Sequence, residues 1–165
     1  MSKVKEAIDR LIHGESLTQK HAEAAMMEIL QKRANVAQVA AFLAALRIKG
    51  EVADELIGCA RAVRSGITPV SPKRKDLVDI CGTGDDRAAT FNISTTAALV
   101  AAGAGLAIAK HGNRSVSSQC GSADLLEAFG TNLELTPQQM AQCIDEVGIG
   151  FLFAPVLGPA LEWAL

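Results

Sequence analysis

The apolar pattern changes period once along the chain, at residues 67–75, and that change limits the fold more than any other feature. Before it, apolar residues recur at helical spacing only. Val4, Ile8, Leu11 and Ile12 make one stripe, ended by Gly14. Thr18 is placed to cap a second helix carrying Ala22, Met26, Ile29 and Leu30, with Leu17 and Ala22 as a hydrophobic staple. Asn35 is placed to cap a third, through Val36, Val39, Leu43 and Leu46 to Gly50. A fourth runs from Glu51 through Leu56, Cys59 and Val63 to Gly66. A bundle of this size buries little apolar area alone, so it is expected to pack on something larger or on a second copy of itself.

After Pro69 and Pro72 the pattern alternates between short strands and helices. Leu77 to Cys81 reads as a strand that runs into Gly82-Thr83-Gly84. Asn92 or Ser94 can cap a helix to about Ala104, and Leu106 to Ala109 reads as a second strand. Lys110 to Gly121 reads as a long polar loop, and Ser122 as the cap of a short helix that ends at Phe129-Gly130. Thr136-Pro137 is a strong helix start, running to Val147-Gly148. Ile149 to Phe153 is a third strand, and Pro155 to Leu165 reads as a further helix. Strands that alternate with helices predict an α/β domain with a parallel sheet. The expected organisation is a helical domain over 1–66, a linker over 67–75 and an α/β domain over 76–165.

Composition excludes several classes. Hydrophobic residues are 49% and charged residues 21%, which is globular usage. A net charge of -2 and a pI near 5.9 argue against a dedicated nucleic-acid binder. The longest apolar run, Ala97 to Ala109, is interrupted by Gly103 and Gly105 and is too short to span a bilayer. The N-terminus is charged where a signal peptide needs apolar residues, so a cytoplasmic location is expected. Cysteines at 59, 81, 120 and 143 form no CxxC pair and are expected to be reduced thiols. Cys81 and Cys120 draw more attention because they sit in Gly-rich loops. His13 and His21 read as solvated helix-end residues.

Two polar segments follow two strands, where parallel sheets bind ligands. The first is Asp79 to Asp86 and the second is Lys110 to Ser118, with Thr90 to Thr95 between them at a helix start. Glycine backbone and a helix N-terminus suit a phosphate, Lys110 and Arg114 add charge, and the Ser, Thr and Asn side chains add neutral donors and Mg²⁺ oxygens. Gly82-x-Gly84 is weak alone, because the third glycine of a dinucleotide loop is replaced by Arg87 and no Walker pattern is present. Its bland reading is a strand-to-helix turn, and that of Asn92 and Ser94 is plain capping. The segment Lys110 to Ser118 is more polar than a connector requires.

On GTG-x-D at Gly82 to Asp86, TFNIST at Thr90 to Thr95, KHGNRSVSS at Lys110 to Ser118 and GSADLLEAFG after it, the chain closely resembles the anthranilate phosphoribosyltransferase family. The resemblance extends over essentially the whole chain. It implies a nucleoside phosphorylase/phosphoribosyltransferase-like fold and transfer of a phosphoribosyl group from phosphoribosyl pyrophosphate to the amino group of anthranilate. Pyrophosphate would be released in a step of tryptophan biosynthesis, with Mg²⁺, by a homodimer paired through the helical domain. Carried over by position, Gly82, Asp85, Asp86, Thr90, Asn92, Ile93, Ser94, Thr95, Lys110, His111, Gly112, Asn113, Arg114, Ser115, Val116, Ser117, Ser118 and Ser122 match phosphoribosyl-pyrophosphate contacts. Gly82 and Asn113 match anthranilate contacts, and Ser94 matches a Mg²⁺ ligand. No catalytic residue is assigned, because a bound anthranilate amine is already a nucleophile once held in line.

The chain departs from the family in three places. Asp85 stands where the family has glycine, and the usual His after the Phe153-Ala154-Pro155 segment is missing. The family's anthranilate-binding Arg and its Mg²⁺-holding Asp-Glu pair would lie beyond Leu165, so only the first part of an α/β domain is expected here. Its length is the main reason to expect that catalysis needs more chain. The alternatives are a truncated, non-catalytic phosphosugar-binding or dimerisation module and, less favoured given KHGNR, a pyrimidine nucleoside phosphorylase relative. Asp85 has its own consequence. A carboxylate about 5 Å from a unit negative charge at an effective dielectric near 20 costs about 3 kcal/mol. Asp85→Gly is therefore expected to tighten phosphoribosyl-pyrophosphate binding in calorimetry, and equal or weaker binding would refute the repulsion.

Overall fold

The computed structural model describes residues 2–81, 91–115 and 120–158. The chain divides into two units, one holding the residues up to Ile67 and the other spanning Thr68–Leu157.

The first unit is four helices: α1 (Lys3–Ile12), α2 (Gln19–Leu30), α3 (Val36–Lys49) and α4 (Ala53–Ser65). Their starts are chemically marked. Ser2 accepts the Lys5 N–H, Thr18 accepts the His21 N–H, and Asn35 and Gln38 form a reciprocal capping box. Val4, Leu11, Leu17, Ala22, Ile29 and Phe42 anchor the core.

Two faces differ from expectation. On α3 the buried residues are Val39, Phe42, Ala45 and Leu46, while Val36 and Leu43 are exposed. This helix is apolar nearly all round, so its period gives no direction, and the large Phe42 ring takes the core. On α4 the fully buried positions are Glu55, Gly58 and Ala62; of the apolar residues read from the sequence, Cys59 packs half-buried against the core, Val63 is half-buried and Leu56 is exposed. Gly58 faces α2 so closely that a Cβ there would run into Gln19 O and lie 2.8 Å from Ala22 Cβ and 2.9 Å from Glu23 N. The small residues set this interface by letting the two helices approach.

The second unit is α/β. Strands β1 (Leu77–Val78), β2 (Ala107–Gly112) and β3 (Ile149–Phe153) form a parallel sheet in the order β1-β2-β3. The helices are α5 (Ile93–Gly103), α6 (Ser122–Ala128), α7 (Pro137–Val147) and α8 (Ala154–Leu157). Thr136 caps α7, and Gly148 ends it at φ 89°, a conformation glycine adopts without strain. Met140, Ala141 and Ile144 are the buried face of α7, and Ile144 lies directly over Gly150 of β3.

The strand ends differ from expectation. β1 is only Leu77–Val78, because beyond it the Asp79 carboxylate accepts the His111 N–H at 3.2 Å in place of a backbone partner. β2 does not stop at Ala109; Lys110, His111 and Gly112 pair with Phe151, Leu152 and Phe153. The residues expected to open a loop thus belong to a strand. The cap of α6 is Gly121, and Ser122 is its first helical residue. The expected helix from Pro155 appears as α8 to Leu157, and its remainder from 159 to 165 lies outside the described residues. The Pro-containing segment is anchored within this unit. Thr68 donates to Leu157 O at 2.8 Å, and the Asp145 carboxylate accepts the Lys73 and Arg74 N–H groups at 3.0 and 3.1 Å.

Candidate functional site

In a parallel sheet the carboxyl ends of all strands share one edge. Here that edge gathers Asp79, Lys110 to Ser115 and Phe153. Lys110 is 3% exposed, and its Nζ donates to His111 O at 2.6 Å. No carboxylate pairs with this ammonium among the described residues. A buried cation without a counter-charge is costly, and an anionic ligand would remove that cost.

Gly112 is packed so that a Cβ would run into Ser122 Oγ and lie 2.7 Å from the Phe151 ring. The Asn113 carbonyl accepts both the Ser122 hydroxyl at 3.3 Å and the Ala123 N–H at 3.2 Å. The start of α6 therefore rests directly on the backbone that leaves β2. Asn113 Oδ1 accepts the Arg114 N–H at 2.8 Å.

The Arg114 side chain is committed to α6. It forms a two-pronged pair with Glu127 at 2.7 and 2.9 Å, reaches Asp124 at 3.3 Å, and its guanidinium lies 5.8 Å from the centroid of the Phe153 ring. Glu127 and then Asp124 hold the guanidinium firmly protonated. Arg114 holds the Glu127 carboxyl below its ordinary range. Asp124 is also lowered, first by N–H bonds from Ser115 and Gly121 and then by Arg114.

At the start of α5, Asn92 occupies the cap position, but its Nδ2 donates to Cys120 Sγ at 3.5 Å instead of its side chain capping the helix. Ile93 is exposed and Ser94 half-buried. Thr95 is 1% exposed, and its hydroxyl has no hydrogen-bond partner among the described residues. Gly82, Asp85, Asp86, Thr90, Val116, Ser117 and Ser118 lie outside the described residues. None of the four cysteines is in a disulfide, and burial followed by the nearby Glu55 charge pushes the Cys59 thiol up to about 11. No helix among the described residues is long and apolar enough to cross a membrane.

The helical bundle domain of the glycosyl transferase family matches residues 5–65, and the a/b domain of the same family matches residues 74–165. The chain belongs to the glycosyl transferase family. Among its glycosyl transferase relatives, the anthranilate phosphoribosyltransferase of Desulforudis audaxviator is 55% identical over 98% of this chain and 46% of its own length. That of Moorella thermoacetica is 53% identical over 98% and 48%. The crystal structure of the Thermus thermophilus anthranilate phosphoribosyltransferase superposes with a TM-score of 0.86 at 44% identity, covering 99% of this chain and 48% of that one. The Saccharomyces cerevisiae enzyme, solved in complex with PRPP and Mg, gives a TM-score of 0.85 at 28% identity, covering 97% and 48%. The chain thus spans about half the length of the relatives it matches.

Three pairings at this edge escaped sequence reading: that of Asp79, which opens the first polar segment, with the His111 N–H, and those of Asp124 and Glu127 with Arg114. The last two had a local signal. Asp124 stands in the first turn of α6, where a carboxylate suits the helix dipole, and Glu127 follows three residues later on the same face. Nothing local showed that their partner would be Arg114.

Proposed function

We propose that this chain forms the phosphoribosyl-pyrophosphate-binding part of an anthranilate phosphoribosyltransferase. The reaction is transfer of the phosphoribosyl group to the amino group of anthranilate, with release of pyrophosphate, in cytoplasmic tryptophan biosynthesis. The observation that carries this reading is the buried Lys110 ammonium, unpaired with any described carboxylate at the carboxyl edge of the sheet. The buried Thr95 hydroxyl, without a partner among the described residues, supports it, as does the PRPP complex of the yeast relative.

Lys110 is suited to the pyrophosphate, and the first turn of α5 to a phosphate through its N–H groups. Asn113 is the anthranilate contact in this reading. Arg114 acts differently from the expected direct phosphate contact: its charge is taken up by Glu127 and Asp124, so its part is to hold the segment in place. The residues present also fit Mg²⁺. Among the described residues the Ser94 hydroxyl makes no hydrogen bond, and no group of three or more His, Cys, Asp or Glu is placed to hold a metal. Mg²⁺ typically keeps its waters and a few oxygens of protein and phosphate, so one serine hydroxyl suits an ion carried by the substrate. When bound, it supplies positive charge to the departing pyrophosphate.

The same reading includes a homodimer paired through the helical unit. Val36, Leu43 and Ile48 of α3 and Leu56 of α4 are exposed large apolar residues there.

Calorimetry with phosphoribosyl pyrophosphate and Mg²⁺ tests the binding site. The chain should bind, and Lys110→Ala should weaken binding by about tenfold or more, since a charge-assisted hydrogen bond contributes roughly 1.5–3 kcal/mol. Absence of binding by the unaltered chain would refute the reading. Decay of anthranilate fluorescence on adding both substrates separates turnover from binding alone.

A further inference from the structure

Asp124 lies outside every substrate contact assigned above. Its Oδ2 accepts two backbone N–H bonds, from Ser115 at 3.0 Å and from Gly121 at 2.8 Å. Its Oδ1 accepts from Arg114 Nη1 at 3.3 Å. One carboxylate oxygen thus ties the backbone at Ser115, just after β2, to the backbone at Gly121, the cap of α6.

Ordinary helix capping explains only part of this. A carboxylate in the first turn that reaches back to the Gly121 N–H is a common way to finish a helix start. The Ser115 bond is different, because it comes from nine residues upstream and does nothing for the helix. The close approach supports the same view. A Cβ on Gly121 would run into Ser115 N and lie 2.7 Å from the Arg114 carbonyl carbon, so the two strands of backbone touch without side chains between them.

Charge argues for positioning over attraction. Asp124 and Glu127 carry two negative charges against the single positive charge of Arg114. This cluster does not draw in an anion by its field. It fixes backbone instead.

We propose that Asp124 is a positioning residue for the phosphate-binding backbone that leaves β2 at Asn113 to Ser115, setting the separation of Ser115 and Gly121 through one oxygen while restraining Arg114 with the other. The ligand named here rests on the phosphoribosyl-pyrophosphate reading above; the tie itself does not.

The test compares the unaltered chain with Asp124→Ala and Asp124→Asn. It uses amide hydrogen exchange at Ser115 and Gly121 and calorimetry with phosphoribosyl pyrophosphate and Mg²⁺. In Asp124→Ala both amides should exchange faster, and binding should weaken by about tenfold or more. The asparagine carbonyl can accept both N–H bonds, so Asp124→Asn should restore most of the amide protection and most of the affinity. Release of the Gly121 amide alone would reduce Asp124 to a helix cap and overturn the proposal. Unchanged affinity in Asp124→Ala, or an Asn variant that protects both amides yet binds as poorly as Ala, would overturn it too. Protected amides in an unaltered chain that binds no phosphoribosyl pyrophosphate would instead remove the ligand reading and leave the tie standing.

Discussion

Glu55→Ala is expected to cost about 3–5 kcal/mol of stability, the range for removing one partner of a buried ion pair. Glu55 is 1% exposed. Its carboxylate accepts the Leu17 N–H at 2.8 Å, the Val52 N–H at 3.0 Å and the Lys49 ammonium at 3.0 Å. It therefore ties the start of α2, the end of α3 and the start of α4 together. Alanine would leave the Leu17 and Val52 amides without this acceptor and the largely buried Lys49 ammonium with the Gly50 carbonyl but no counter-charge, and each buried unsatisfied group costs about 1–3 kcal/mol. At roughly 2–4 °C per kcal/mol for a chain of this size, thermal melting followed by circular dichroism should fall by about 6–20 °C. Glu55→Gln keeps one acceptor oxygen and should lose less. A shift within about 2 °C for the alanine variant would mean that the network contributes little.

The same carboxyl gives a pH signature. Burial raises its pKa, but the N–H bonds from Leu17 and Val52, with Lys49, outweigh burial and leave it below the ordinary value of 4.5. A depressed folded-state pKa means that the contribution is present above about pH 4.5 and is lost as pH falls through the folded value. The stability gap between the unaltered chain and Glu55→Ala should accordingly narrow in acid.

Gly58→Val is expected to disrupt the α2–α4 contact, at a cost of about 3 kcal/mol or more, the upper end for overpacking. The obstacle is mostly backbone. A Cβ would meet Gln19 O, Ala22 Cβ and Glu23 N, none of which can turn aside as a flexible side chain can. α2 must move away as a body, which pulls Ala22 and Ala25 out of their packing. Gly58→Ala should show the same defect in milder form. Melting of both variants measures it, and a valine variant as stable as glycine would show that the helices are farther apart than described.

Much of the fold was legible because its signals are local. Thr18, Asn35 and Thr136-Pro137 mark helix starts that depend only on their neighbours in sequence, and Gly50 and Gly148 mark ends in the same way. The buried faces of α3 and α4 were not legible. On α3 apolar residues surround the axis, and on α4 a glycine and a glutamate are among the fully buried residues while Leu56 is exposed. At the site, position came through and partnership did not. The polar stretch from Lys110 stood out, but the pairing of Lys110, His111 and Gly112 with Phe151–Phe153 is made by residues some forty positions away. Polar side chains read as loop unless that pairing is known. The engagement of Arg114 with Glu127 was hidden for the same reason.

The strand character of Lys110 to Gly112 changes how the entropy of binding is distributed. Fixing the backbone of a residue costs roughly 1–2 kcal/mol, and for these three that cost falls on folding, through their ladder with β3. A ligand that meets Lys110 finds its backbone already ordered, so that part of the interaction carries little ordering penalty. Substitutions at Phe151 or Phe153 that loosen β3 would transfer the penalty back to the binding step. They would weaken affinity from beneath the site without removing any group that touches the ligand.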